Sequence, residues 1–553
     1  MTVRIRVISL ACTLASTALA SADESRGWQD SHAAAAATTT TKVAAPVLNP
    51  KPQDYVNYLW IDFLEGTKGA SIYYTLDGTV PTSASTKFTG EFKIAQTTTV
   101  NAIAIASGGA ASTVTSGTYT LTSGPVTESV VYSLGATTAD GTYPSQLILG
   151  RDGNIYVVSG NGGYGDGAIL KITPAGAETV LYAFEGCSQS CTPTSNRDGS
   201  LPSSLIEGRD GNFYGTTYSG GTGLCYVQGT SYGCGTIFKL TPAGVETVLY
   251  NFNGPAGDSV DGVGPNILIQ GRDGNFYGTT VYGGSNGYCD SGAGCGTVFK
   301  LTPSGTETVL HSFTYGIGDS IDGAVPGAIF QAGDGNLYGT TGGGGINGSG
   351  TVFKISTGGV ESVVYSFPLH DIPGATVFPT LAFAGADGDL YGTTMIGGTT
   401  DMGSVFKVTT DGAFTELYAF RHGVNGNTSD GSGPVRVLQG SDGNLYGVTN
   451  GGGAYAGNPG IYLDSWSGGT VFRITPAGIE TVVHAFSGAR PGHPSTDGAH
   501  PVALLQAPDG NFYGLTSFGG ANLAACCDGG DDGGGTVFLL SHPTWSPGRA
   551  SPP

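Results

Sequence analysis

The sequence predicts an all-β protein: a seven-bladed β-propeller closed by an N-terminal outer strand, preceded by a small β-sandwich domain. Three observations predict it. One cassette recurs seven times, each copy holds four short strand signals, and the two ends of the array are complementary in phase.

The second cassette is the clearest. It reads D-G-N-F-Y-G-T-T from Asp210, then a Gly-rich loop, then G-T-I-F-K-L-T-P-A-G-V-E-T-V-L-Y-N-F ending at Phe252. The D-G-[ND] turns begin at Asp152, Asp210, Asp273, Asp334, Asp387, Asp442 and Asp509, at intervals of 53 to 67 residues. A fixed unit separated by variable loops is a repeat architecture. The strands of this copy are expected at 204–207, 213–218, 235–240 and 246–252, named a to d from the axis outward. They are rich in β-branched and aromatic residues and bounded by turn residues. D-G-N supplies a tight a–b hairpin, and T-P-A-G supplies the c–d turn.

The array begins with an isolated d-type strand, Glu128 to Leu134, and its last cassette stops after the c-type segment Gly535 to Leu540. One orphan d and one missing d complete a seventh blade. Closure would remove two exposed sheet edges. With 96 Gly, 12% charged residues and no sustained helical period, the composition suits many turns and sheets buried on both faces.

Residues 1–20 read as a signal peptide: Arg4 and Arg6, an apolar run to Ala20, and a small-residue end at Ala18-Leu19-Ala20. Residues 21–44 are an Ala/Thr-rich linker, 45–122 the sandwich, 125–541 the propeller and 542–553 a disordered tail. An exported protein is expected, extracellular or periplasmic and associated with the bacterial cell surface, without membrane insertion and monomeric. Beyond Cys12, the cysteines fall in close pairs, Cys187/Cys191, Cys225/Cys234, Cys289/Cys295 and Cys526/Cys527, which read as local disulfides bracing long loops. The adjacent Cys526 and Cys527 need either a strained ring or another partner. No metal site and no cofactor are expected, a structural or ligand-bridging Ca2+ being left open. A net charge of −20 without a basic patch argues against nucleic acid and anionic membranes.

The b–c and d–a loops share one long, variable edge of the propeller, where binding is expected. Six d–a loops carry D-G-x-x-P, at Asp140, Asp198, Asp261, Asp322, Asp430 and Asp497. They make either a carboxylate-lined mouth for a cation or hydroxyl-rich ligand, or a set of turn caps. Residues that break the repeat are the other site candidates. They are His370, Asp371, Arg421, His422, Arg490, His493 and His500 for acid–base work, with Tyr462, Asp464 and Trp466 in the longest b–c loop for stacking on a sugar. His311 and His484 replace the Tyr of strand d as packing variants. No H-E-x-x-H, Walker, G-x-S-x-G or EF-hand motif is present.

Two resemblances add to this reading. Residues 45–122, through I-Y-Y-T-L-D-G-T-V-P-T and T-T-V-N-A-I-A-I-A-S-G, resemble the C-terminal domain of chitobiases and β-hexosaminidases, an accessory module in that family. Residues 125–541, through D-G-N-[FL]-Y-G-T-T, G-T-[VI]-F-K and E-T-V-[LV]-[YH], resemble the GloVer-type tandem-repeat proteins, exported bacterial proteins with varied C-terminal anchors. That resemblance implies no catalytic residues, and this chain has no recognisable anchor. The function expected is an exported binding or scaffold propeller whose partner is a polysaccharide or an extracellular protein. The alternatives are a polysaccharide lyase or hydrolase using the same edge, and a structural envelope or matrix component.

Overall fold

The computed structural model describes residues 43–541 except 50–53, 57–58, 65–66, 68, 90–91, 95, 123–125, 138–139, 163–165, 186–197, 224, 228–229, 254–260, 286–288, 290–293, 315–321, 369–376, 422–429, 454–467, 489–494 and 523–532. The described residues form strands and turns, with no helix.

The N-terminal segment pairs its strands into two sheets. Asp54–Val56, Thr115–Thr122, Thr98–Ile105, Ser71–Thr75 and Thr86–Lys87 form one, and Val47–Asn49, Leu59–Leu64 and Phe92–Ile94 the other. Ile61, Phe63, Ile72, Val100, Ala102 and Tyr119 share one core, because alternate residues of a strand face the same side.

Seven four-stranded antiparallel sheets follow, giving a propeller-like repeat architecture. The second shows the pattern: a, Ser200–Glu207; b, Phe213–Ser219; c, Thr236–Leu240; d, Glu246–Asn251. Strand a begins four residues before the expected start. Pro202 does not end it, because a bulge between Pro202 and Ser204 absorbs the missing donor.

The recurring letters have physical reasons. The Asp210 carboxylate accepts from Asn212 N (3.1 Å), Asn212 Nδ2 (2.7 Å) and the Tyr214 hydroxyl (2.9 Å), and pairs with Lys239 Nζ at 3.4 Å. So the D-G-N turn, the Tyr of strand b and the Lys of strand c form one clasp. Burial alone would raise the Asp210 pKa, but these donors outweigh it and bring it down to about 2. The Thr-Thr of strand b and the Gly-Thr of strand c meet as a hydroxyl pair, Thr217 Oγ1 to Thr236 Oγ1 at 2.9 Å.

Gly215 lies opposite Phe238, whose ring covers it. A Cβ there would stand 2.3 Å from Ser204 O and 2.4 Å from Phe238 Cζ. Gly278, Gly339, Gly392, Gly447 and Gly514 are covered in the same way, whereas the first sheet sets Val157 opposite Leu170. Gly215→Ala is therefore expected to destabilise by about 1–3 kcal/mol through overpacking. A guanidinium melt reads it, and an unchanged midpoint would show that the Phe238 ring moves freely aside.

Successive sheets repeat one set of contacts. Arg209 N donates to Gln270 Oε1 and Arg272 N to Gln331 Oε1, tying each a–b turn to the next strand a. Gly244 of one c–d turn stands against Leu181 O of the preceding strand d, and Gly235 stands against Pro265 of the next strand a. The seventh sheet runs Ala499–Gln506, Phe512–Phe518, Thr536–Ser541 and then Thr127–Ser133, the strand from the start of the array. Across its boundary with the first sheet, Gly176 stands against Val131 O and Gly535 against Pro144, the same contacts again. Leu134, Val537, Leu515, Leu147 and Val157 share one core there.

Candidate functional site

Each d–a loop delivers the chain into strand a, and the D-G-x-x-P motif shapes that turn. Asp140 accepts from the Tyr132 hydroxyl (2.8 Å), Ala136 N and Thr137 N. Asp198 accepts from Tyr182 and Glu185 N, Asp261 from Tyr250 and Asn253 N, and Asp430 from Tyr418 and Arg421 N. In the two loops where strand d carries His, Asp322 meets His311 Nε2 at 3.0 Å, and Asp497 lies 3.7 Å from His484 Nε2 while accepting from Ser487 and Ser495. His311 and His484 thus take the place of the Tyr hydroxyl against Asp. Asp140 and Asp261 are only 1% and 6% exposed. All six carboxylates thus take polar contacts from their own d–a loop or the strand d before it, while one oxygen each of Asp198 and Asp261 is buried without a hydrogen-bond partner among the described residues.

A second carboxyl stands beside several of these aspartates and escaped the sequence reading. It belongs to the Glu that opens strand d of the following sheet. Glu246 faces Asp198 and Tyr182, Glu307 faces Asp261 and Tyr250, and Glu361 faces Asp322 and His311. Burial, then the neighbouring aspartate, pushes Glu246 and Glu307 up to about 7. Burial first, with Asp322 adding and His311 opposing, also brings Glu361 to about 7. The signal was in E-T-V-[LV]-[YH], where a charged residue begins a strand that is otherwise packed. In the fifth sheet Phe414 stands in its place and stacks on Tyr365, centroids 4.7 Å apart. The D-G-x-x-P motif is missing from the loop between the fourth and fifth sheets, so the motif and the strand-d Glu are absent together.

The residue before the Pro of each strand a is the other unforeseen feature. Tyr143, Leu201, Val325, Phe378 and His500 have φ of 45° to 56°, and Gly264 and Gly433 fill the two remaining positions with φ of 64° and 60°. A left-handed backbone costs a non-glycine residue about 1–2 kcal/mol, and a β-branched Val more than most. Packing does not repay this at Phe378, Val325 or Leu201, which are 50%, 41% and 39% exposed. Tyr218 covers Gly264, and Met395 lies beside Gly433. Apolar side chains thus mark the loop-side end of six of the seven first strands, and His500 that of the seventh. A residue before Pro is normally extended, so the motif alone did not suggest this conformation.

His500 belongs to this set. It is 8% exposed and lies edge-on to Phe518 at 5.2 Å. Arg421 is exposed at the start of its loop. His370, Asp371, His422, Arg490, His493, Tyr462, Asp464 and Trp466 lie outside the described residues, as do residues 1–42 and 542–553. Cys225–Cys234 and Cys289–Cys295 are disulfides, the first closing a hairpin of Cys225–Val227 and Thr230–Tyr232 in a b–c loop. Cys187, Cys191, Cys526 and Cys527 lie outside the described residues. Among the described residues no group of three or more His, Cys, Asp or Glu could hold a metal ion, and no helix is long and apolar enough to cross a membrane.

These features define an all-β tandem-repeat protein of propeller-like sheets. The chain belongs to the Gloeobacter/Verrucomicrobia repeat family, which matches residues 95–288, 194–378 and 290–522. Residues 61–116 match the chitobiase/beta-hexosaminidase C-terminal domain. No curated protein matches the chain. Solved structures with a similar fold include a fungal alcohol oxidase of the AA5 family in complex with copper (13% identity, 74% of this chain and 75% of that one, TM-score 0.43). PorZ, a surface component of the type-IX secretion system of Porphyromonas gingivalis, shares 12% identity over 92% of this chain and 58% of its own, at TM-score 0.42. The PQQ-bound aldose sugar dehydrogenase of Streptomyces coelicolor shares 14% over 76% of this chain and 100% of its own, at TM-score 0.32.

Proposed function

We propose that this chain is an exported binding or scaffold protein. In this reading it is a closed seven-bladed β-propeller that recognises a glycan or a protein through its loop-side edge. The closure rests on the contacts repeated between the seventh and first sheets and on the strand Thr127–Ser133 paired with Thr536–Ser541. Export rests on the leader-like N-terminus and on two disulfides in long loops.

One observation carries the binding role: strained, exposed apolar side chains at equivalent positions around one edge. Strain that packing does not repay concentrates where a surface is held for a ligand. The test incubates the mature protein with plant, algal and bacterial polysaccharides and with immobilised envelope proteins, scoring retention and release of soluble oligosaccharides together. Retention that falls about tenfold in the Phe378→Gly, Val325→Gly double variant, with Tm equal to or above wild type, supports the role. Unchanged retention would move binding elsewhere on the surface, and release of oligosaccharides would make the protein an enzyme.

A further inference from the structure

The seven first strands are almost free of charge. Within them only Glu207 and Arg436 are charged. Glu207 ends its strand, and its carboxylate accepts from Arg151 N at 2.8 Å. Arg436 stands in mid-strand within Ser432–Gln439 and has no ion pair or side-chain hydrogen bond among the described residues.

Register shows what the position normally does. Arg436 lies opposite Val448 just after the strand's bulge, as Gln146 lies opposite Val158 in the first sheet. The Gln146 amide bridges to the next strand a, donating to Leu205 O at 3.2 Å and accepting from Leu205 N at 2.8 Å. Ser204 of the second sheet likewise accepts from Leu268 N. Arg436 makes no such bridge. On the neighbouring strand a, Ala499–Gln506, the residues at the corresponding register are Val502, Ala503 and Leu504, whose side chains carry no acceptor.

The guanidinium is therefore deep enough for burial to push its pKa down, yet the residue is only half-buried and solvent still reaches it. That combination fits a side chain projecting into an enclosed, open-ended space. Leaving a cation there unpaired is costly, and a bound anion would relieve the cost. From the left-handed Gly433 to Arg436 is three residues of strand, roughly 10 Å below the apolar edge.

We propose that Arg436 is the anchor of a small-ligand site inside the ring, and that the ligand is an organic carboxylate with an apolar body. The planar guanidinium takes a carboxylate in two parallel hydrogen bonds, and the apolar residues above take the body. The site rests on the closed-ring reading but not on polymer binding at the edge. Benzoate, benzyl alcohol and inorganic phosphate are the probes, with Tm and calorimetry on wild type, Arg436→Gln and Arg436→Lys. Benzoate should give a saturable rise in Tm that benzyl alcohol does not. Affinity should fall about tenfold or more in Arg436→Gln and less in Arg436→Lys, while ligand-free Arg436→Gln melts at or above the wild-type temperature.

Three results would overturn the site: no benzoate effect, an equal effect in Arg436→Gln, or an Arg436→Gln protein that fails to fold or melts lower. The last would show that the fold itself satisfies the guanidinium. A response to phosphate alone would overturn the apolar-bodied ligand. Polymer retention that persists in Arg436→Gln leaves the edge reading standing when this one falls.

Discussion

Removing residues 1–134 will lower the melting temperature sharply and make the protein aggregate, whereas removing only residues 1–122 will do neither. The difference is the strand Thr127–Ser133 with Leu134. It pairs along its length with Thr536–Ser541, in register Val130 to Phe538 and Glu128 to Leu540. Asn522 Nδ2 adds a bond to Ser133 O at 2.8 Å. Leu134 is fully buried, and Val131 and Tyr132 pack on the same core. Burying these three side chains contributes about 5 kcal/mol by area, before any backbone bonds are counted. Without the strand, Thr536–Ser541 becomes a bare edge with four consecutive apolar residues, Val537 to Leu540, ready to pair with another chain. Melting curves and light scattering of the two truncations decide the matter. Equal melting would mean that the seventh sheet is stable with three strands and that the N-terminal strand is an ornament.

The second large effect is on pH. Between pH 5 and pH 8 the melting temperature should fall, and the triple variant Glu246→Gln, Glu307→Gln, Glu361→Gln should make that fall shallower, the remainder coming from Glu480, Glu128 and Glu178, which burial also raises. Each of these carboxyls is raised from 4.5 to about 7 in the folded protein. Between those values the folded state holds more protons than the unfolded one, so stability declines as pH rises through the window and is flat above it. The uncorrected shift corresponds to about 3 kcal/mol per group, which solvent screening reduces to about 1. Three groups then amount to a fall of roughly 3–8 °C. Asp210 and Asp497, brought down to about 2, act in the opposite sense: their stabilisation holds above the ordinary carboxylate range and is lost as the pH falls towards 2. For Asp497, burial opposes the shift, but the nearby His484 and hydrogen bonds from Ser487 and Ser495 prevail. Stability should therefore peak near pH 4 to 5. Parallel pH curves for wild type and the Gln variant would show that the glutamates stay ionised through contacts beyond those described.

Period and punctuation made the four-strand units legible, because D-G-N, T-P-A-G and the strand residues between them are local chemistry. The orphan segment near residue 130 was legible as the partner of the last strand for the same reason: it carries the E-[TS]-V-[LV]-[YH] pattern of a strand d. What the sequence could not disclose lies between sheets. The Lys239–Asp210–Tyr214 clasp joins residues 29 apart, and its members look like separate surface letters. The approach of Glu246 to Asp198 joins two sheets, and nothing in either motif names the other. The D-G-x-x-P motif is compatible with either a rim of carboxylates or a set of caps. Only the positions of Tyr132, Tyr182, Tyr250 and Tyr418 show how their oxygens are used. The candidate edge proved least legible, since Phe378 and Val325 matter through a backbone angle that the following proline normally disfavours.

The pairing of the first and last strands also sets an order of assembly. Ala521 reaches Ser133 across 388 residues of chain. During synthesis the strand Thr127–Ser133 leaves the ribosome well before its partner Thr536–Ser541, with six whole sheets between them. Each intervening sheet can form from its own four consecutive strands as it emerges, but the seventh cannot. Until the last strands of the seventh sheet emerge, this strand has no partner, and its pairing is the step of highest contact order.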